Sequence, residues 1–134
     1  KGATGTYVGN NVFNATGVGQ TRTGSAARGA TVTYYVSAQN DGSFAEVLRV
    51  KGTATNTRYR VTYTDPGGVD ITAAVTAGTY ETPTLVPGAT HLIKVVVKVK
   101  TTAPLGSSLI GSLVIKSNTD PAVRDTVKFI TSRR

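Results

Sequence analysis

The sequence predicts an all-β fold, an antiparallel β-sandwich of seven or more strands, and three observations carry that prediction. Of its 134 residues, 23 are Thr, 18 Val and 5 Ile, against 2 Glu and no Met, a balance that favours strands over a helical bundle. Fifteen Gly and five Pro cut the chain into segments too short for helices of ordinary length. Between those breaks the apolar residues recur at every second position, the period of a half-buried strand. A chain of 134 residues makes one domain, burying roughly two-thirds of its unfolded surface.

Residues 1–27 form an amino-terminal segment rich in Gly, Asn, Ala and Thr, with Tyr7, Val8, Val12, Phe13 and Val18 as its larger apolar groups. Short strands are expected near 6–8 and 11–13, with loop between. The sandwich core is expected over 28–134. Its first strand, 30–40, sets Val32, Tyr34, Val36 and Ala38 on one face and Thr31, Thr33, Tyr35 and Ser37 on the other. Asn40-Asp41-Gly42-Ser43 tolerates left-handed backbone and marks a turn. The strand 44–51 that follows is expected to turn Phe44, Leu48 and Val50 inward.

Residues 58–64 place Tyr59, Val61 and Tyr63 inward and Arg58, Arg60, Thr62 and Thr64 outward, and stop at Asp65-Pro66-Gly67-Gly68. Residues 69–76 read as either a short strand or a single helical turn. Pro83 cannot donate to a ladder, so 80–86 is an edge strand or the approach to one, and Pro87-Gly88 fits a type II turn. The strongest strand is 91–100, where Ile93, Val95, Val97 and Val99 alternate with Leu92, Lys94, Val96, Lys98 and Lys100. Pro104-Leu105-Gly106 breaks it, 109–117 makes another strand, Asn118-Thr119-Asp120-Pro121 turns, and 124–132 closes with Val127 and Phe129 inward. So many short strands spaced by turn signals describe a sandwich of immunoglobulin-like type.

The absence of Cys excludes disulfides, thiol catalysis and Cys-ligated metal centres. The longest apolar run is 95–97, far short of the roughly 20 residues that span a bilayer, so no membrane span is expected. The chain opens at Lys1 with neither Met nor a leader, as a mature product or an excised fragment would. Fifteen basic against seven acidic residues give a net charge of +8, a field that attracts polyanions such as anionic glycans or wall polymers.

Three passages resemble bacterial extracellular immunoglobulin-like modules, the cell-adhesion-related (CARDB-type) domains and similar modules appended to secreted enzymes. They are the Gly-started strand that runs from Arg28 into Asn40-Asp41-Gly42; Leu85-Val86-Pro87-Gly88-Ala89-Thr90 leading into the alternating valines; and Ala103-Pro104-Leu105-Gly106 before a strand. The resemblance implies an extracellular or cell-surface structural or adhesion role, usually as one of several modules. It brings no shared catalytic residues and no cofactor, so no enzymatic activity and no small-molecule substrate are expected.

The residues themselves offer little catalytic chemistry. His91 is the sole histidine and is expected at the surface of a strand start; Glu46 and Glu81 are expected as scattered surface carboxylates. Asp41, Asp65, Asp70 and Asp120 sit in turns, where Asp side chains bond their own backbone without needing calcium. Asn14-Ala15-Thr16 has the form of a glycosylation sequon. The basic residues say more: Lys94, Lys98 and Lys100 share one strand face and Arg58 and Arg60 another, and in one sheet they would form a cationic patch. Tyr35 and Tyr80, the tyrosines expected at the surface, complete a candidate surface for polyanion or glycan contact. Specific nucleic-acid binding is not expected, because too few aromatics are exposed for base stacking. The expected function is a structural or adhesion module working in series as a repeated surface domain or fibre subunit, with copies of itself or neighbouring modules as partners and the amino-terminal segment touching the next copy. A carbohydrate-binding module is the alternative.

Overall fold

The structure, a computed structural model, describes residues 21–40, 42–119 and 124–134. In chain order it contains β1 (Thr21–Ala26), β2 (Thr31–Gln39), β3 (Leu48–Gly52), β4 (Tyr59–Thr64), α1 (Thr72–Ala77), β5 (Tyr80–Glu81), β6 (Thr90–Val99), β7 (Ser108–Ser117) and β8 (Arg124–Arg133). Two sheets result, ordered β1-β8-β7-β3-β5 and β2-β6-β4. From β1 to β7 each successive strand changes sheet, and then β7 and β8 pair with each other. The central orders β8-β7-β3 and β2-β6-β4 are those of an immunoglobulin-like sandwich. The expected strands at 6–8 and 11–13, the sequon at 14–16, Asp41 and Asp120 lie outside the described residues.

Alternation does what period two requires. Ile93, Val95, Val97 and Val99 of β6 are fully buried while Lys94 and Lys98 are exposed. Tyr34, Val36 and Ala38 of β2 and Tyr59, Val61 and Tyr63 of β4 extend the same inward layer. Val50, Leu113, Ile115 and Phe129 meet it from the larger sheet, with Val75 of α1 closing one side. At Val86–Ala89 the Ala89 N–H donates to the Val86 carbonyl (2.9 Å), with Pro87 second and Gly88 third at φ +82°, the left-handed position that a type II turn needs. Asn40 does more than turn the chain. Fully buried, it donates to the carbonyls of Phe44 (2.8 Å) and Leu85 (2.7 Å) and accepts from the Gly42 N–H, tying the β2–β3 connection to the segment before β6.

Tyrosine hydroxyls join parts of the fold that are far apart in sequence. Tyr34 on β2 donates to the Ile130 carbonyl on β8 (2.9 Å) and lies 2.9 Å from Thr131 Oγ1. Tyr63 on β4 donates to the Thr53 carbonyl just after β3 (2.7 Å), and Tyr59 pairs with Ser107 Oγ just before β7 (2.7 Å). Tyr80 on β5 pairs with His91 Nε2 on β6 (2.8 Å). Burial lifts the hydroxyls of Tyr34 and Tyr63 above their ordinary pKa.

Two expectations need correction, and one open alternative is decided. A strand occupies Thr21–Ala26, where the sequence reading places none, and it runs parallel to β8 in an otherwise antiparallel fold. Its residues Thr-Arg-Thr-Gly-Ser-Ala carry no large apolar group to alternate, and Gly24 sits where a Cβ would come within 2.6 Å of Val32 Cγ1. Phe44 is 84% exposed instead of inward, because the Asn40 bond to its carbonyl keeps it in the loop and β3 starts only at Leu48. Residues 69–76, readable as strand or turn, contain most of α1. Its Val75 is buried below Ile71 one turn earlier, and Gly78 at φ +77° ends it with Gly78 and Thr79 N–H groups on the Val75 and Ala74 carbonyls.

Candidate functional site

β6 is the middle strand of the three-stranded sheet, so its outward row is flanked on both sides. Register sets Lys94 between Tyr35 and Thr64, Val96 between Thr33 and Thr62, and Lys98 between Thr31 and Arg60. Just past the ladder the Lys100 N–H donates to the Arg58 carbonyl (2.9 Å), while Lys100 Nζ donates to the Asn56 carbonyl (2.7 Å). The five cations picked out in the sequence therefore come together on one sheet, over about 20 Å along β6. None of them makes an ion pair with a described residue; the Arg49–Glu81 pair (3.0 Å) lies on the other sheet.

At one end of this face Tyr35, Leu92 and Lys94 meet Thr64, Asp65, Pro66 and Gly68 in a shallow groove of about 280 Å³. Its geometry depends on the turn after β4. Asp65 Oδ1 accepts from the Gly67 and Val69 N–H groups (2.9 Å each), which closes the turn on itself. Asp70 accepts from the Thr72 N–H (2.9 Å), and the bonds from Thr72, helped by the Arg60 charge, hold its carboxyl below the usual range. Both aspartates thus close turns, and among the described residues no three His, Asp or Glu side chains gather as metal ligands would.

Two aromatic expectations are revised. Tyr35 and Tyr80 are both half-buried, and they do not share a face: Tyr35 lies opposite Lys94, whereas Tyr80 belongs to β5 of the other sheet and packs against the core. His91 is 8% exposed, not a surface residue. It has the parity of Ile93 and Val95, which puts it on the inward row against Tyr80. Burial lowers its pKa, and the negative charge of Asp65 opposes that shift. Glu46 accepts from Ser117 Oγ (3.1 Å) and Glu81 holds Arg49, so the two glutamates serve separate contacts.

No protein-family model matches the chain, and no curated protein matches it. Solved structures do. The secreted serine protease VesC from Vibrio cholerae aligns at 12% identity and TM-score 0.51, covering 85% of this chain and 22% of that one. A family 123 glycoside hydrolase from Clostridium perfringens aligns at 11% identity and TM-score 0.50, covering 86% of this chain and 23% of that one. PapD-like domain 7 of human CEP192 aligns at 12% identity and TM-score 0.46, covering 86% of this chain and 80% of that one. The likeness is one of fold. The chain spans less than a quarter of the length of the protease and the hydrolase.

Proposed function

We propose that the chain is a non-catalytic extracellular structural or adhesion module that works in series, as a repeated surface domain or fibre subunit of a bacterium. The observation that carries this reading is the work done by its chemically capable side chains. Glu46 holds Ser117, Glu81 holds Arg49, Asp65 and Asp70 close turns, and His91 is bonded to Tyr80. Asp65 lies near enough to the Tyr80–His91 pair for its charge to act on both, but its carboxylate is held by its own turn and the glutamates serve other places, whereas an active site needs such groups converging on one reacting atom. The match to a minor part of two longer chains supports a modular role. Incubation with peptide and glycan substrate panels checks it: no turnover is expected, and hydrolysis that disappears in His91→Gln or Glu46→Gln overturns it. Sedimentation at rising concentration checks the serial arm, with self-association expected and a strict monomer arguing for a lone spacer. A second reading, a carbohydrate-binding module, is favoured by the groove beside Tyr35.

A further inference from the structure

We propose that the outer face of the β2-β6-β4 sheet binds a linear acidic polysaccharide, with carboxylate or sulfate groups on the cation ladder and one sugar ring against Tyr35. The inference deepens the second reading above, on which it rests, by naming the ligand class and its path.

Placement of charge is the first argument. Arg60 stands directly opposite Lys98, and Arg58 meets Lys100 through the adjoining backbone bond. Like charges opposite one another on neighbouring strands destabilise a sheet. A face charged only to stay soluble would mix both signs along the rows. Here the other outward positions within the paired rows are Thr31, Thr33, Tyr35, Ser37, Gln39, Thr62, Thr64, Thr90, Leu92 and Val96, none of them acidic; the carboxylates beside them, Asp65 and Asp70, belong to the turn after β4, where Asp70 bridges to Thr64 and feels the Arg60 charge. The repulsion is relieved when an external anion lies along the row.

The second argument concerns which anion. Tyr35 is the one aromatic in the paired rows of this face, and it lines a groove together with Leu92, Pro66 and Asp65. That is room for a single ring to stack. A single-stranded nucleic acid gains its affinity from successive bases on several aromatics, which this face lacks. Asp65 disfavours any anionic group in the groove itself, phosphate and carboxylate alike, which leaves the anions to the cation ladder, while its carboxylate can accept from the hydroxyls of a sugar ring seated there. The ladder continues from the groove through Lys94, Lys98 and Lys100 for about 20 Å, a path for an extended chain of several sugars.

The test uses the whole 134-residue chain and measures binding to polygalacturonate, to the same polymer fully methyl-esterified, and to a single-stranded DNA of equal charge. Polygalacturonate is expected to bind, with an affinity that falls as salt rises, and the neutral ester is expected to bind far more weakly. Arg60→Ala/Lys94→Ala/Lys98→Ala is expected to weaken polygalacturonate binding roughly tenfold or more at low salt. Lys116→Ala/Arg124→Ala/Lys128→Ala removes equal charge from β7 and β8 of the other sheet and is expected to change it less than about twofold. All six positions lie outside the buried core, so circular dichroism and melting temperature serve as fold controls. Tyr35→Ala is expected to weaken binding with no change in salt dependence. Equal losses in the two triple variants would overturn the proposal in favour of diffuse attraction by net charge. Tighter binding of DNA through the same face would replace it with a nucleic-acid interface, and equal binding of the ester would leave a neutral-glycan module with the acidic ligand excluded. Binding of none of the three probes overturns this ligand class while leaving the absence of turnover, the test of the module reading, untouched.

Discussion

Tyr63 donates its hydroxyl to the Thr53 carbonyl from a position without solvent exposure, so deleting one oxygen strands that carbonyl. Tyr63→Phe is expected to cost about 1–3 kcal/mol in urea unfolding, whereas Tyr35→Phe at the half-buried outer face should stay within about 0.5 kcal/mol. Burial also raises the ionisation of Tyr63, Tyr34 and Tyr80 above the ordinary tyrosine value. Above about pH 10 the unfolded chain therefore releases these protons before the native chain does, binds fewer protons, and stability falls as pH rises. His91 gives the acid limb the opposite slope. Its native pKa is depressed, chiefly by burial, so the contribution is complete above about pH 6.5 and is lost as pH falls through the native value. Urea midpoints from pH 4 to 11 should trace both limbs, and His91→Gln should flatten the limb just below about pH 6.5. The sequence already held the parity that buries His91. Its place at a strand start just after Pro87-Gly88 argued for a surface residue, and the two-residue period, which the strand obeys from His91 to Val99, was the stronger signal.

Among the elements, β2, β4 and β6 were legible because apolar groups mark every second residue, and β7 because Leu109, Leu113 and Ile115 keep that period on either side of Gly111. β1 was not, since its inward positions include Gly24 and Ala26, too small to stand out in a pattern, and at Gly24 the neighbouring Val32 and Tyr34 leave no room for a Cβ. Gly111 on β7 shows the same thing across one strand pair. It lies opposite Phe129, and an added Cβ would fall 2.1 Å from the Phe129 ring. Gly111→Ala is expected to destabilise the domain by about 1–3 kcal/mol. Joining it with Phe129→Leu tests the cause: in a double-mutant cycle the pair should lose less than the sum of the single changes, because the shorter side chain vacates the space the methyl needs. Purely additive losses would locate the strain elsewhere.

For the molecule as a whole, the two basic rows were readable from strand parity, whereas their meeting on one face needed the pairing of β4 with β6, which alternation does not set. The groove was not, because Asp65, Pro66 and Gly68 reach Tyr35 only through the fold of the turn after β4. The same face should cost stability in the free protein. Lys98→Thr is expected to raise unfolding free energy by about 0.2–1 kcal/mol at low salt, with the gain shrinking as salt screens Arg60 from Lys98, a difference that paired thermal melts can measure. The parallel pairing of β1 with β8 has a mechanical meaning. Its six register pairs lie side by side with both strands pointing the same way. Tension that draws the start of β1 and the end of β8 apart must slide one strand along the other, loading all the rungs together, whereas a hairpin pulled from its open end yields one rung at a time. A domain strung in a surface fibre on these two strands would hold its length under drag until the whole ladder shears at once.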